Sequence, residues 1–135
     1  MIEKVSLLDE CIEALGEDVH ILYEDNREQI LNDFENSFPF TDWGQIEWKK
    51  ISSYEQVDTF DEIRSFLNQK LNEYSDIVYV IWDEGALPII QSTLDKVFEA
   101  IDDVTAVSFD TWIFSPSSGY AIEIFHDGEV KVGLK

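Results

Sequence analysis

Only one of the 135 residues is a cysteine, Cys11, so no disulfide can form within the chain and nothing points to an oxidising compartment. Its place on an apolar helical stripe reads as a small core side chain. Cations are scarce as well: 9 Lys and Arg stand against 29 Asp and Glu, which leaves a formal net charge of -20. A surface of that sign repels phosphate, so neither nucleic acid nor an anionic membrane is expected as a direct partner. No apolar run is long enough to span a bilayer. The opening stretch "MIEKVSLLDECIEALGED" has neither the basic flank nor the long apolar core of a secretion signal, and a cytoplasmic location is expected. Chemical motifs are missing too: there is no Gly-rich phosphate loop, CxxC, HExxH, GxSxG or kinase signature. His20 and His126 stand apart in the sequence, and a lone His beside a hairpin turn reads as a surface or hydrogen-bonded residue rather than a ligand. No cofactor and no small-molecule ligand are expected, and no segment repeats or falls to low complexity.

What is present is enough for a core. A chain of this length is one domain by size, here residues 1–135, and with 44% hydrophobic and 13% aromatic residues it should fold alone. Val5, Leu8, Cys11 or Ile12, and Leu15 recur at helical spacing and Gly16 follows as a stop. "VHILYE" reads as a short strand or as the approach to the next helix. In "DNREQILNDFENSF", Asp25 and Glu28 form a variant of the capping box, Ile30, Leu31, Phe34 and Phe38 face inward, and Pro39 ends the helix. "GQIEWKKIS" reads as a strand at a sheet edge. Phe60, Ile63, Phe66, Leu67, Leu71 and Tyr74 mark a helix capped by Asp58 or Thr59. "DIVYVIWDEG" is apolar nearly throughout, as a central strand covered on both faces would be. Leu87, Ile90, Leu94, Val97 or Phe98, and Ile101 then predict a helix with Pro88 in its first turn. Strands follow over 104–115, 120–126 and 129–133, the last two joined by Asp127-Gly128, a strong hairpin signal. The fold class is α+β: one domain, about four helices, and a mixed sheet ending in an antiparallel meander.

Carboxylates and tryptophans are the candidate functional residues. Asp83 and Glu84 follow the central strand at its carboxyl end, where open α/β sheets place ligand loops. Asp102 and Asp103 lie in a connection, and Asp110 falls near both groups if the strands are neighbours. Hard oxygen ligands of this kind suit a divalent cation, but 29 acids in 135 residues produce adjacent pairs by chance, and no metal is expected. In "SFDTWIFSPSSGY", alternation sets Ser108, Asp110, Trp112 and Phe114 on one side and Phe109, Thr111 and Ile113 on the other. Two readings of the acid beside the tryptophan stand open. Either Trp112 is an aromatic anchor and Asp110 its carboxylate on a surface that holds an Arg- or Lys-rich protein, or Trp112 packs under a helix and Asp110 pairs locally. Trp48 and Trp82 read as core.

Taken in order, "FPFTDWGQIEW", "VYVIWDEGALP" and "IDDVTAVSFDTWIFSPSSGYAIEIFHDGEVKVG" resemble immunity proteins of bacterial contact-dependent growth inhibition systems, over about the last two-thirds of the chain and most densely from Asp102 to Gly133. The resemblance implies a small cytoplasmic non-enzyme that binds its cognate toxin domain, often a basic nuclease, and occludes its active site or substrate cleft. Since the family's contact residues differ between pairs, none is carried over by position. The expected contacts, Asp83, Glu84, Asp102, Asp103, Asp110 and Trp112, come from the residue reading. Two other classes remain: an acidic regulatory or adaptor domain, and a metal-dependent hydrolase built on the five carboxylates.

Overall fold

The computed structural model describes residues 4–135, with side chains from Leu7 onward. The chain runs α1 (Lys4–Leu15), β1 (His20–Leu22), α2 (Glu24–Ser37), a 3-10 turn (Trp48–Lys50), β2 (Ser53–Val57), α3 (Phe60–Lys70), β3 (Ile77–Trp82), β4 (Ile89–Thr93), α4 (Leu94–Glu99), α5 (Ile101–Thr105), β5 (Thr111–Ser115), β6 (Tyr120–Ile124) and β7 (Val130–Leu134). All seven strands join one sheet in the order β1-β4-β3-β5-β6-β7-β2. The class is α+β as the sequence predicts. Every pairing is antiparallel, where a mixed sheet was expected. The interior position of β3 and the closing β5-β6-β7 meander agree with expectation.

Alternation along the strands splits the sheet into two covered faces. Val78, Val80 and Trp82 of β3, Ile113 of β5, Ile122 of β6 and Val132 of β7 pack against α1, α3, α4 and α5 through Cys11, Leu15, Ile63, Leu67, Leu94, Val97 and Val104. On the other face Ile81, Ile89, Trp112, Phe114 and Ala121 meet Phe34 of α2 and Phe38 at its C-terminal cap, together with Ile46 and Trp48. Each fully buried side chain of this size contributes about 1.5–3 kcal/mol relative to exposure. Since neither face is left to solvent, β5 is buried along its whole length. The face that seemed polar in the sequence is therefore not a surface.

Several local expectations change for identifiable reasons. Residues 89–93, expected in a helix, are a strand held between β1 and β3, and the helix begins only at Leu94, where Thr93 Oγ1 accepts the Lys96 N–H. The helical spacing was real as a list of core positions, because Leu87, Ile90, Leu94 and Val97 all enter the same core cluster. A strand that hands over to a helix at Leu94 reproduces that spacing. The strand expected over 104–115 starts at Thr111, with α5 occupying 101–105 and anchored by the Trp82 indole, which donates to Val104 O at 2.9 Å. "GQIEWKKIS" is not a strand but a bridge at Ile46 followed by the 3-10 turn; the edge strand begins just beyond, at Ser53. Asp25 does not cap α2: the cap position is Tyr23, without a side-chain bond, and Asp25 lies in the first turn. Thr59 does cap α3, in a full capping box with Glu62. That helix stops at Lys70, so Tyr74 lies beyond it, its hydroxyl accepting from Arg64 Nη1 at 3.2 Å.

The meander closes as its sequence predicts. Phe125 N–H donates to Glu129 O at 3.0 Å and Gly128 N–H to Phe125 O at 2.9 Å, with Gly128 at φ +92°, a left-handed conformation that glycine adopts without strain. Asp127 takes the Glu129 N–H at 2.9 Å, a bond that lowers its pKa below the usual carboxylate range. On β7, a Cβ at Gly133 would stand 2.6 Å from Trp48 Cζ3. The indole occupies the space of a missing side chain.

Candidate partner interface

The carboxyl end of β3 and the start of β5 lie side by side, and this brings some of the candidate residues together. Asp83 Oδ1 accepts the backbone N–H of Asp110 at 3.0 Å, and the Asp83 N–H returns to Asp110 O at 3.3 Å. Asp110 is itself buried. Its Oδ1 accepts the His126 N–H at 2.8 Å and lies 2.9 Å from His126 Nδ1. A hydrogen-bonded chain thus runs from exposed Asp83 through buried Asp110 to the exposed His126 ring. It ties the end of β3 to the β6–β7 hairpin. Asp110 acts as a local staple, one of the two roles its sequence position allowed.

Trp112 is 6% exposed. Its ring lies 6.2 Å from that of Phe34 and 6.0 Å from that of Phe40, and its Nε1–H donates to Glu123 Oε2 at 2.9 Å. Glu123, its cross-strand partner on β6, is 1% exposed. The same carboxylate accepts the Ile46 N–H at 2.7 Å and the Trp48 indole N–H at 2.9 Å. Three donors surround one acid, as a buried carboxylate requires. Glu123 therefore pins the 46–48 segment to the sheet. It was missed because an acid in "YAIEIF" reads as the solvent side of an alternating strand. Trp48, read as core and carrying an N–H to satisfy, was the signal that an acceptor had to be buried with it; Trp112, whose place was left open, shares that acceptor.

Beside this clamp a cleft of about 300 Å³ opens between α2, the turn at Gly44 and the loop after β3. Ile81, Phe40 and Trp112 line it, with Glu35 and Asp83 also on its wall. Arg27 closes one side, its Nε donating to Leu87 O at 2.8 Å and its Nη1 pairing with Glu28. Asp83 and Trp112, two of the six candidates, thus share one cleft, and Asp110 supports it from behind. Glu84 sits in the adjoining turn, where its carbonyl accepts the Leu87 N–H at 3.1 Å. Asp102 and Asp103 lie apart on α5, in its first turn, and Asp103 borders α1 near Glu10 and Glu13. The five carboxylates do not converge. Among the described residues no group of His, Cys, Asp and Glu is placed to hold a metal ion, and no helix is long and apolar enough to cross a membrane.

A second cleft of about 300 Å³ lies across the 41–49 segment, lined by Trp43, Trp48 and Tyr54 with Lys49, Lys131 and Glu47. Trp43 is 71% exposed and Phe109 77%, and neither was singled out in the sequence as a contact. The family model described as "CdiI immunity protein EcoliA0-like" matches residues 5–133. No curated protein matches the chain.

Proposed function

Since the chain belongs to the CdiI immunity protein family, a family of toxin-neutralising proteins, we propose that it binds a basic toxin domain, a nuclease by class, in the cytoplasm of the cell that makes it, and inhibits without catalysis by covering the substrate cleft. The observation that supports a basic partner is the net charge of -20 together with the way the few cations are spent. Arg64 pairs with Asp76 and Asp95, Arg27 with Glu28, Lys96 with Asp18 and Lys50 with Glu47. Burial works against the Arg64 charge, but its hydrogen bonds to Tyr74 and Asp76 outweigh that and hold its pKa above the usual value. What remains facing solvent is mostly acid, with Lys49, Lys70 and Lys135 the exposed exceptions among the described residues. Such a field speeds the encounter with a cationic protein, and desolvated contacts then slow its release. Carboxylates would stand where the phosphates of the toxin's substrate go.

The contact surface we propose is the end of the sheet carrying Asp83 and Glu84, with Asp110 and Trp112 behind it and Asp102 and Asp103 on its helical flank. Association of the purified chain with the toxin domain encoded beside it, followed at rising salt, tests this reading. A stable complex whose association rate falls steeply with ionic strength is expected. Absence of a complex would remove the proposed partner, and a rate indifferent to salt would remove the basic character assigned to it.

A further inference from the structure

The two clefts on the α2 face are equal in size and opposite in charge. The one at Trp43 carries Lys49, which makes no ion pair among the described residues, while its Lys131 is met by Glu129 at 3.6 Å and its Glu47 by Lys50 at 3.3 Å. The one at Trp112 carries Glu35 and Asp83 against Arg27, whose charge is already met by Glu28 at 3.0 Å and whose Nε is committed to Leu87 O. Glu35 makes no ion pair among the described residues, and Asp83 spends one oxygen on the Asp110 N–H while its side chain stays exposed. Aromatic and aliphatic side chains form the interior, so the Trp112 cleft is apolar inside and anionic at the rim.

We propose that the Trp112 cleft is the socket for an arginine side chain of the partner protein. This rests on the reading that the partner is a basic toxin domain, and goes beyond it by naming the anchor and the residues that receive it. An arginine fits on three grounds. Its three methylenes can lie along Ile81 and Phe40, the guanidinium plane can stack against an aromatic ring, and its fork of N–H groups can meet two carboxylates at once. Lysine offers neither the plane nor the fork. The cleft is also held open in advance: Glu123 fixes Trp112 on one side and Arg27 bolts the loop at Leu87 to α2 on the other. A preformed socket needs little ordering when it is filled. The Trp43 cleft, with Lys49 unmatched at its edge, would repel the same group.

The test uses two probes. In the first, the co-encoded toxin domain is titrated against the wild-type chain and against the double variant Glu35→Gln/Asp83→Asn. Asn at position 83 can still accept the Asp110 N–H, so the fold survives while both rim charges go. The toxin's Kd is expected to rise roughly thirtyfold or more. Lys49→Gln, at the other cleft, is expected to leave it unchanged. In the second, N-acetyl-arginine amide and its uncharged citrulline counterpart are titrated while the Trp112 indole N–H and the Gly44 amide are followed by NMR. Saturable shifts with the arginine compound alone, lost in the double variant, are expected. Equal shifts with both compounds, or none with either, would overturn the socket, as would a double variant that binds the toxin as tightly as wild type. That last result would leave the proposed function standing, whereas failure of the toxin to bind the wild-type chain would strike the proposed function itself.

Discussion

The two faces of the sheet are buried to similar degrees by different chemistry. Against α1, α3, α4 and α5 the core is mostly aliphatic, built from Val, Leu and Ile with Cys11 among them. Against α2 it is mostly aromatic, with Phe34, Phe38, Trp48, Trp112 and Phe114 packed at tilted and edge-on angles, and one carboxylate inside it. Aliphatic packing is non-directional, so one side chain can replace another of similar volume. Indole N–H groups bonded to a buried acid are directional, and they fix where the 46–48 segment runs. That segment lines the Trp43 cleft, and α2 lines the Trp112 cleft. The face with fixed geometry is the one that carries the candidate interface, as a preorganised site requires.

The largest effect that sharpens the contrast is expected from Glu123→Ala. Removing the acid leaves the Ile46 N–H and two indole N–H groups without an acceptor, and each orphaned buried donor costs about 1–3 kcal/mol. With partial relaxation the total is about 3–5 kcal/mol in urea unfolding. On the helical face Leu67→Met keeps volume and chemistry, and should lose less than about 1.5 kcal/mol. A Glu123→Ala variant as stable as Leu67→Met would erase the distinction between the faces.

Next comes Gly133→Ala, which tests whether the Trp48 indole is as immobile as its bond to Glu123 implies. The new methyl would meet Trp48 Cζ3 at 2.6 Å, Tyr54 Cβ at 2.9 Å and Ser53 O at 3.0 Å. Overpacking of this kind costs about 1–3 kcal/mol. A neutral result would mean that the ring swings aside, and that the clamp is looser than its distances suggest.

Dryness of the helical face can be read through Cys11, which is fully buried. Burial, with a smaller push from Asp103, raises its thiol from 9.0 to about 12. The unfolded chain therefore releases this proton first as pH rises through 9, while the folded chain keeps it until about 12. Folding stability should fall over that window, by at most roughly 1.4 kcal/mol for each pH unit from this group. Tyr120, its phenol also raised by burial, adds to the decline from about pH 10. Cys11→Ala should flatten the slope between pH 9 and the onset of the tyrosine's share. An unchanged slope would show that water reaches the thiol.

Legibility in the sequence followed the same divide. On the helical face the core list was readable, because apolar spacing at Leu8, Cys11 and Leu15, or at Ile63, Phe66 and Leu67, reports burial whatever the element. It failed for element type at Ile89–Thr93, where a strand and a helix in series present apolar residues at the spacing of one helix, and over 104–110, where the end of α5 and its exit stand in place of the expected strand. The Asp127-Gly128 turn was readable because its chemistry is local. On the α2 face the sequence showed Asp83 and Trp112 as candidates, but not that Asp83 stands at a cleft wall while Trp112 is mostly buried inside it. Burial of Trp112 depends on α2, some 75 residues earlier in the chain, and on Glu123, whose place inside the fold is a long-range fact. Glu35 and Arg27 were invisible for the same reason: a helix face has meaning only once its partner surface is known.

The smallest expected effect is that of Thr59→Ala, and its value lies in what it should leave alone. Thr59 Oγ1 accepts the Glu62 N–H at 3.3 Å, and Glu62 Oε1 takes the N–H groups of Asp58 and Thr59 at 3.0 Å each. Alanine removes the hydroxyl half of that box and frees one N–H in the first turn of α3. Because the site is exposed, water replaces part of the loss, and about 1 kcal/mol is expected, within the 0.5–2 kcal/mol range of such caps. The helix it caps packs on the aliphatic face through Ile63, Phe66 and Leu67, on the far side of the sheet from both clefts. Toxin affinity should therefore stay at the wild-type value, while Glu123→Ala, which releases the 46–48 segment and the Trp112 indole, should weaken it even where the variant remains folded. Parallel measurement of urea midpoint and toxin affinity for the two variants decides the matter. If Thr59→Ala weakened toxin binding as much as Glu123→Ala did, the interface would reach α3, well beyond the flank at Asp102 and Asp103, and the assignment of the anchor to the aromatic face would fall.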